Sequence, residues 1–341
     1  MTVANRPAPP TLDEVAHLAG VSRATASRVI NGSPLVSART SKAVQRAVRR
    51  LGYVPNRAAR SLVTRRTDTI ALVMSEPETR VFSDPFFKTI VQGISDAIAD
   101  TELQLLLLLA NGPREHDKVE RYLRQGHVDG VILMSLHGDD PLPRAMTAAQ
   151  VPFVLNGRPR SGHELPYVDA DNHGGGRDAT SFLLASGRQK VATITGPVDM
   201  TAGVDRYEGY RDALRAGGVR FRKALVANGD FTEEGGAEAM TALLERTPDL
   251  DGVFVASDPM AIGALRALRA AGRRVPDDVA VVGFDDIPEA ATTEPPLTTV
   301  RQPYEDMTRA MTELLLRRIR ADADDSAHVV CPTELVRRAS A

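Results

Sequence analysis

The spacing of apolar residues changes character along the chain. From Thr11 to Leu51 they recur at three- and four-residue intervals, the mark of short amphipathic helices. Leu12, Val15, Ala16 and Ala19 form one stripe, and Val44, Ala47, Val48 and Leu51 another. The punctuation agrees. Thr11–Glu14 has the form of a capping box, Asp13 and Glu14 stand in the first turn where the helix dipole favours them, and Gly20 offers a left-handed stop. Val21 fills a turn, Ser22 caps a second helix predicted to reach Ile30, and a third is predicted from near Ser37 to Leu51 with Gly52 as its stop.

Beyond Thr67 apolar runs alternate with helical segments. The expected strands are Ile70–Met74, Leu103–Leu109, Val131–Met134, Phe153–Leu155, Val191–Thr195, Val253–Ala256 and Val279–Val282. Helices are expected near 86–99, 114–125, 174–186, 205–216, 233–246 and 259–271, with a last one near 304–320 after the turn-rich Glu294–Val300. Strands apolar on both faces and separated by helices indicate buried parallel sheets. Two doubly wound subdomains follow, with the switch between them expected in the loop Arg158–Pro166.

Charge divides the chain at the same place. Residues 1–66 carry twelve Lys/Arg against two Asp/Glu, while the remainder carries thirty against forty-two. A net −2 thus hides a head of +10 on a body of −12, which points to a polyanion as partner of the head alone. The one cysteine, Cys331, excludes an intramolecular disulfide and reads as a buried thiol. The Pro-rich residues 1–10 lack the apolar stretch of a secretion signal, and the longest apolar run, Leu105–Ala110, is too short to span a bilayer, so a cytoplasmic protein without membrane contact is expected.

Two helices joined by a Gly-containing turn make a helix-turn-helix, whose second helix enters the major groove. Arg23 at its start can donate two hydrogen bonds to a guanine, and Ala24 can touch only apolar surface such as a thymine methyl. Ser22, Thr25, Ser27 and Asn31 can bond phosphates or bases, and Arg28 can reach either. The competing reading is a surface helical bundle with solvated arginines; the segment charge and the ordered caps favour double-stranded DNA.

This head resembles the LacI family of bacterial transcription regulators in Thr11–Ile30, Val36–Thr40 and Gly52–Leu62, and the resemblance continues through the body. It implies an all-α DNA-binding domain followed by a periplasmic-binding-protein-like body of two parallel-sheet subdomains, an α/β fold overall. It also implies that Asn56–Leu62 is a hinge helix that folds only on operator DNA, with Leu62 wedging into a base step from the minor groove, Ala59 against the groove and Asn56 at the DNA; Arg57, Arg60, Arg65 and Arg66 can supply phosphate attraction. A seven-residue helix is too short to be stable alone, so DNA and a second copy of the chain would be needed to order it. Leu62 as an ordinary core leucine is the alternative. The expected division is a tail at 1–10, the head at 11–55, the hinge at 56–66 and an effector-binding and dimerisation body at 67–341. Within the body one subdomain comprises 67–163 with 302–325, the other 164–301 with 326–341.

Open α/β sheets bind ligands outside the carboxyl ends of their strands. Phe86, Arg206, Phe231, Ser257, Asp258 and Asp285 all fall at such ends or in the loops after them. Carboxylates and an arginine can chelate sugar hydroxyls, and an aromatic face can pack on a pyranose. The resemblance places these positions in the cleft between subdomains, with Arg206 and Asp285 as ligand-binding residues, Phe231 as stacking ring and Phe86 as a wall; Asp258 can equally be a helix cap. Gly157 and Ser257 stand where many sugar-binding members carry Asp and Asn, which leaves room for a larger glycoside. Glu76–Arg80, Asp139–Pro143 and Asp169–Arg177 look like segments of actinobacterial repressors that answer to cello-oligosaccharides or β-glucosides.

The seven histidines show no metal-ligand spacing, and there is neither a nucleophile elbow nor a phosphate loop. Gly174–Gly176 reads as permitting tight helix packing rather than cradling phosphate. No cofactor and no enzymatic activity are expected. A transport protein that binds sugar would share the body but not the basic head, and an architectural DNA protein would not need a ligand cleft. The expected function is a dimeric transcriptional regulator, a repressor, whose operator affinity a small molecule controls; a non-sugar effector or a corepressor remains open. Arg23→Ala should cost about 1–3 kcal/mol at its cognate operator and relax preference at one base position; an unchanged preference in a randomised-operator selection would refute the base contact.

Overall fold

The structure is a computed structural model that describes residues 10–30, 33, 35–54, 66–160, 164–321 and 327–341. The chain forms two compact units, residues 1–67 and 68–341. The first contains α1 (Leu12–Ala19), α2 (Arg23–Ile30) and α3 (Ala38–Leu51), packed around Val15, Ala16, Ala26, Val44 and Ala47. Both halves of the capping box form: Thr11 Oγ1 accepts from the Glu14 amide at 3.3 Å, and Glu14 Oε2 accepts from the Thr11 amide at 2.7 Å. Gly20 (φ 67°) and Gly52 (φ 61°) take the left-handed conformation that ends α1 and α3.

The body is two lobes with one winding plan. In the first, β1 (Thr69–Met74), β2 (Gln104–Leu109), β3 (Gly130–Met134), β4 (Phe153–Asn156), β5 (Tyr167–Ala170) and β11 (His328–Cys331) form a fully parallel sheet in the order β11-β5-β4-β3-β1-β2. In the second, β6 (Val191–Thr195), β7 (Val226–Asn228), β8 (Gly252–Val255), β9 (Ala280–Asp285), β10 (Thr298–Arg301) and β12 (Glu334–Val336) take the order β12-β10-β9-β8-β6-β7, with only β12 antiparallel. The helices are α4 (Glu78–Ser83), α5 (Pro85–Ala97), α6 (Pro113–Arg124) and α7 (Leu142–Ala148), then α8 (Asn172–Ala185), α9 (Thr201–Ala216), α10 (Glu233–Arg246), α11 (Asp258–Ala270) and α12 (Tyr304–Ile319). Each sheet is buried on both faces, which is why its central strands read as unbroken apolar runs.

Three expectations change. The chain does not leave the first lobe near residue 163. Tyr167–Ala170 pairs with β4 and β11, and Val168 and Ala170 lie in the first lobe's core, so the first crossing is at Asp171. His328–Cys331 likewise belongs to the first sheet rather than the second. The turn-rich segment, for which no strand was expected, runs into β10: Thr298 and Thr299 are fully buried, with Thr299 donating to Asp258 and Thr298 accepting from the Arg338 amide. The leucine run of β2 is an edge strand, with Leu107 44% exposed, rather than a strand buried on both faces. The chain therefore crosses between lobes three times, at Asp171, between β10 and α12, and between β11 and β12.

Helix pairs in the second lobe meet at glycines. A Cβ on Gly176 of α8 would lie 2.3 Å from the Arg206 carbonyl oxygen of α9, and one on Gly209 would lie 2.2 Å from the His173 oxygen. The glycines that open α8 thus bring the α9 backbone close enough for Arg206 to reach the strand ends. Gly176→Ala should cost about 1–3 kcal/mol through overpacking, read as a lowered denaturation midpoint; an unchanged midpoint would mean that the two helices separate freely.

Candidate functional site

At the head, Ser22 Oγ accepts from the Thr25 amide at 3.1 Å, which fixes the start of α2. Ser22, Arg23, Ala24 and Arg28 are exposed, Thr25 and Ser27 half-buried, and Ala26 is buried against the other helices. Arg23 Nε stands 3.6 Å from Asp13 Oδ1, an ion pair between two largely exposed side chains. Such a pair contributes about 1 kcal/mol at most, so it yields readily to a stronger acceptor. Asn31, Asn56, Arg57, Ala59 and Leu62 lie outside the described residues.

The body's cavity, of about 560 Å³, lies between the carboxyl ends of the two sheets. In both sheets the first strand has the second on one side and the third on the other, which opens a crevice at the strand ends. Ser135 and Gly138 line it after β3, Gly157 after β4, Phe231 after β7, Ser257 after β8 and Asp285 at the end of β9. Three of these, Ser135 (φ 54°), Phe231 (φ 66°) and Asp285 (φ 114°), are non-glycine residues in the left-handed region. Backbone strain of this kind persists where packing over-determines it, and it gathers at ligand sites.

Arg206 and Asp285 form the buried centre. Arg206 Nη1 donates to Asp285 Oδ1 at 3.3 Å and to the Ala256 carbonyl at 2.6 Å, and Nε donates to Asn172 Oδ1 at 2.8 Å. Its guanidinium stacks on Phe284, 3.7 Å from the ring centroid. Asp285 Oδ1 also accepts from Gln302 Nε2 at 2.6 Å. Asn172 and Gln302 belong to two of the three crossing segments, so the charged pair is tied to the connections between lobes. Asn172 Nδ2 donates in turn to Asp169 Oδ1 at 2.8 Å.

Burial pushes the Asp285 carboxyl up to about 6, against the pull of Arg206. It pushes Asp169 up to about 6 as well, opposed by the Arg158 amide that bonds it. Two buried acids raised in a cavity mark groups held ready for polar partners.

Phe231 is nearly buried, and its ring lies where a Cβ on Gly196 would collide with it. The guanidinium carbons of Arg206 and Arg80 stand 5.7 and 5.3 Å from its centroid. Phe86 lines the cavity and meets Phe87 edge-on at 5.1 Å. Ser257 lines it too while capping α11. Gly157 (φ 101°) takes a conformation that a side chain would strain, so this part of the wall stays open.

Asp258 takes neither of the two roles open to it, cavity residue or helix cap, since Ser257 caps α11. It is fully buried and does not line the cavity. Its Oδ1 accepts from Thr299 Oγ1 at 2.6 Å and its Oδ2 from the Ile287 amide at 3.0 Å, and burial together with Asp285 raises it well above the usual carboxylate range. Both oxygens being occupied, it braces the loop after β9 instead of meeting a ligand. Conversely, Arg80, Asp84, Asp169, Asn172 and Gln302 line the cavity without having been selected from sequence. Glu76–Arg80 and Asp169–Arg177 drew notice only as segments, because nothing local marks which of their side chains face a cleft.

Two family models match: that of the bacterial regulatory proteins of the lacI family over residues 11–56, and that of the periplasmic binding protein-like domain over residues 180–341. The transcriptional regulator CelR of Thermobifida fusca is 53% identical over 97% of this chain and 98% of its own. The chain belongs to the LacI family. Among solved structures, a complex of the regulator CelR with cellobiose is similar to this LacI-family regulator with TM-score 0.79 and 50% identity, over 97% of this chain and 100% of that one. The lac repressor dimer bound to operator and the anti-inducer ONPF is similar with TM-score 0.87 and 26% identity, over 98% and 99%. Among the described residues no helix is long and apolar enough to cross a membrane.

Because the folded Asp285 carboxyl titrates near 6 and an unfolded one near 3.8, the folded state holds the proton more tightly, and the stability this contributes is complete below pH 3.8 and lost as pH rises through 6. Asp285→Asn keeps the neutral form at every pH. Between pH 4 and pH 7.5 the variant should therefore gain about 1–3 kcal/mol on the parent, read as the difference of their unfolding free energies; a pH-independent difference would refute the raised titration.

Proposed function

We propose that this LacI-family regulator is a dimeric cytoplasmic repressor released from its operator by cellobiose or a short cello-oligosaccharide bound between the lobes of the body. The observation that carries this reading is the near-full-length 53% identity to CelR, together with the similar fold of a CelR–cellobiose complex. The cavity supports it: about 560 Å³ is ample for more than one sugar ring, and the wall at Gly157 is open. Arg206, Asp285, Asn172 and Gln302 offer paired donors and acceptors to hydroxyls, while Phe231 and Phe86 offer apolar faces. The protein acts by binding, with no chemical step.

In this reading Ser22, Arg23, Ala24, Thr25, Ser27, Arg28 and Asn31 meet the major groove, and Asn56, Arg57, Ala59 and Leu62 the minor groove at the operator centre. The sugar favours the lobe arrangement in which paired hinges do not form on DNA. It induces only by binding that arrangement better than the DNA-bound one, because equal affinity for both would shift nothing.

Cellobiose should weaken binding to the cognate operator by about 10-fold or more in a fluorescence-anisotropy titration, with ribose and glucose far less effective. Unchanged operator affinity at saturating cellobiose would overturn the effector assignment, and tightened affinity would make the sugar a corepressor.

A further inference from the structure

Arg80 is a cation of the first lobe placed against the aromatic ring of the second. It stands on α4, the short helix after β1, with its guanidinium carbon 5.3 Å from the Phe231 centroid and 5.7 Å from that of Phe87. Its side chain is 13% exposed, and its Nε is buried without a hydrogen-bond partner, 4.0 Å from Asp84 Oδ2. An unbonded buried donor is costly, and this one belongs to a residue that lines the cavity.

The other end of the guanidinium is anchored. Nη1 donates to Glu76 Oε1, the same buried oxygen that faces His137 Nε2 at 3.2 Å. His137 Nδ1 faces Asp199 Oδ2 at 3.0 Å, and the Gly138 amide donates to the Asp199 carbonyl at 2.9 Å. Asp199 stands in the loop after β6, so the series Phe231, Arg80, Glu76, His137, Asp199 starts in the second lobe, passes through the first and returns to the second. A neutral imidazole has one donor, yet both ring nitrogens meet carboxylates; only the imidazolium satisfies both. The Glu76 bond raises His137 above its usual 6.5, over the opposition of its partial burial and with further help from Asp199.

We propose that Arg80 is a sugar-contacting residue supplied by the first lobe, and that through Glu76 and His137 it couples occupancy of the Phe231 ring to the Asp199 contact between lobes. This rests on the sugar reading above. A hydroxyl beside Phe231 accepts from Arg80 Nε and can donate to Asp84. Arg80 cannot shift toward it without loosening its hold on Glu76 Oε1, and that oxygen is shared with His137. Binding at the ring is thereby felt at the lobe contact through one carboxylate.

The full-length protein tests this with cellobiose as probe, by calorimetry for binding and operator anisotropy for coupling. Arg80→Lys keeps the charge but loses the fork, and should weaken cellobiose about tenfold or more. His137→Gln should keep cellobiose affinity close to the parent's while cutting the ratio of operator affinities without and with sugar about fivefold. Without sugar, the His137 imidazole followed by NMR should titrate above 6.5 in the parent and fall toward it in Glu76→Gln. Parent-like cellobiose binding by Arg80→Lys, or parent-like coupling and an unmoved His137 titration in the other two variants, overturns this inference alone. A parent that gives no heat with cellobiose overturns the effector assignment and the sugar contact together.

Discussion

The buried pair Arg206–Asp285 is the interaction on which the body's organisation depends. Two charges in a low-dielectric interior are costly unless their remaining hydrogen-bonding capacity is met. Here Asn172 and the Ala256 carbonyl meet part of it for Arg206, and Gln302 part of it for Asp285. Two of those partners stand on segments where the chain passes from lobe to lobe. A ligand that competes for these hydrogen bonds therefore acts on the connections as well as on the cleft, and the site cannot change its bonding without affecting how the lobes are joined.

The raised carboxyl of Asp285 shows the same constraint as free energy. Arg206 attracts the carboxylate, but burial outweighs it, so at neutral pH the cavity holds a charge that its surroundings disfavour. Left-handed backbone at Phe231 and Asp285 adds strain in the same place. Stability is given up where polar partners are to be received, a common trade at sites of function.

Much of the fold was legible in sequence. The capping box at Thr11, the stops at Gly20 and Gly52 and the apolar runs of β1, β3, β6, β8 and β9 all arise from local rules. The strands that were missed have a common cause. β5, β7, β10, β11 and β12 are three or four residues long, and Thr298 and Thr299 are polar, so only their pairing partners make them strands. The lobe boundary moved for that reason: Val168 and Ala170 carry no local mark of which core they enter.

For the cleft, the sequence by itself determined that Phe231, Ser257 and Asp285 stand at strand ends or in the loops after them, because strand ends are punctuated by the change from apolar run to polar residue; Arg206 lies further on, in the second turn of α9. It also determined the basic head and the helix-turn-helix that carries it. Only the tertiary structure decided that Asp258, next to Ser257, turns into the core, while Arg80, Asn172 and Gln302, distant in the chain, line the cavity. Capping and periodicity act over a few residues and are written in the local sequence. Which side chain faces a cavity depends on sheet order and on where the chain crosses between lobes, and those are set by contacts among segments far apart in the sequence.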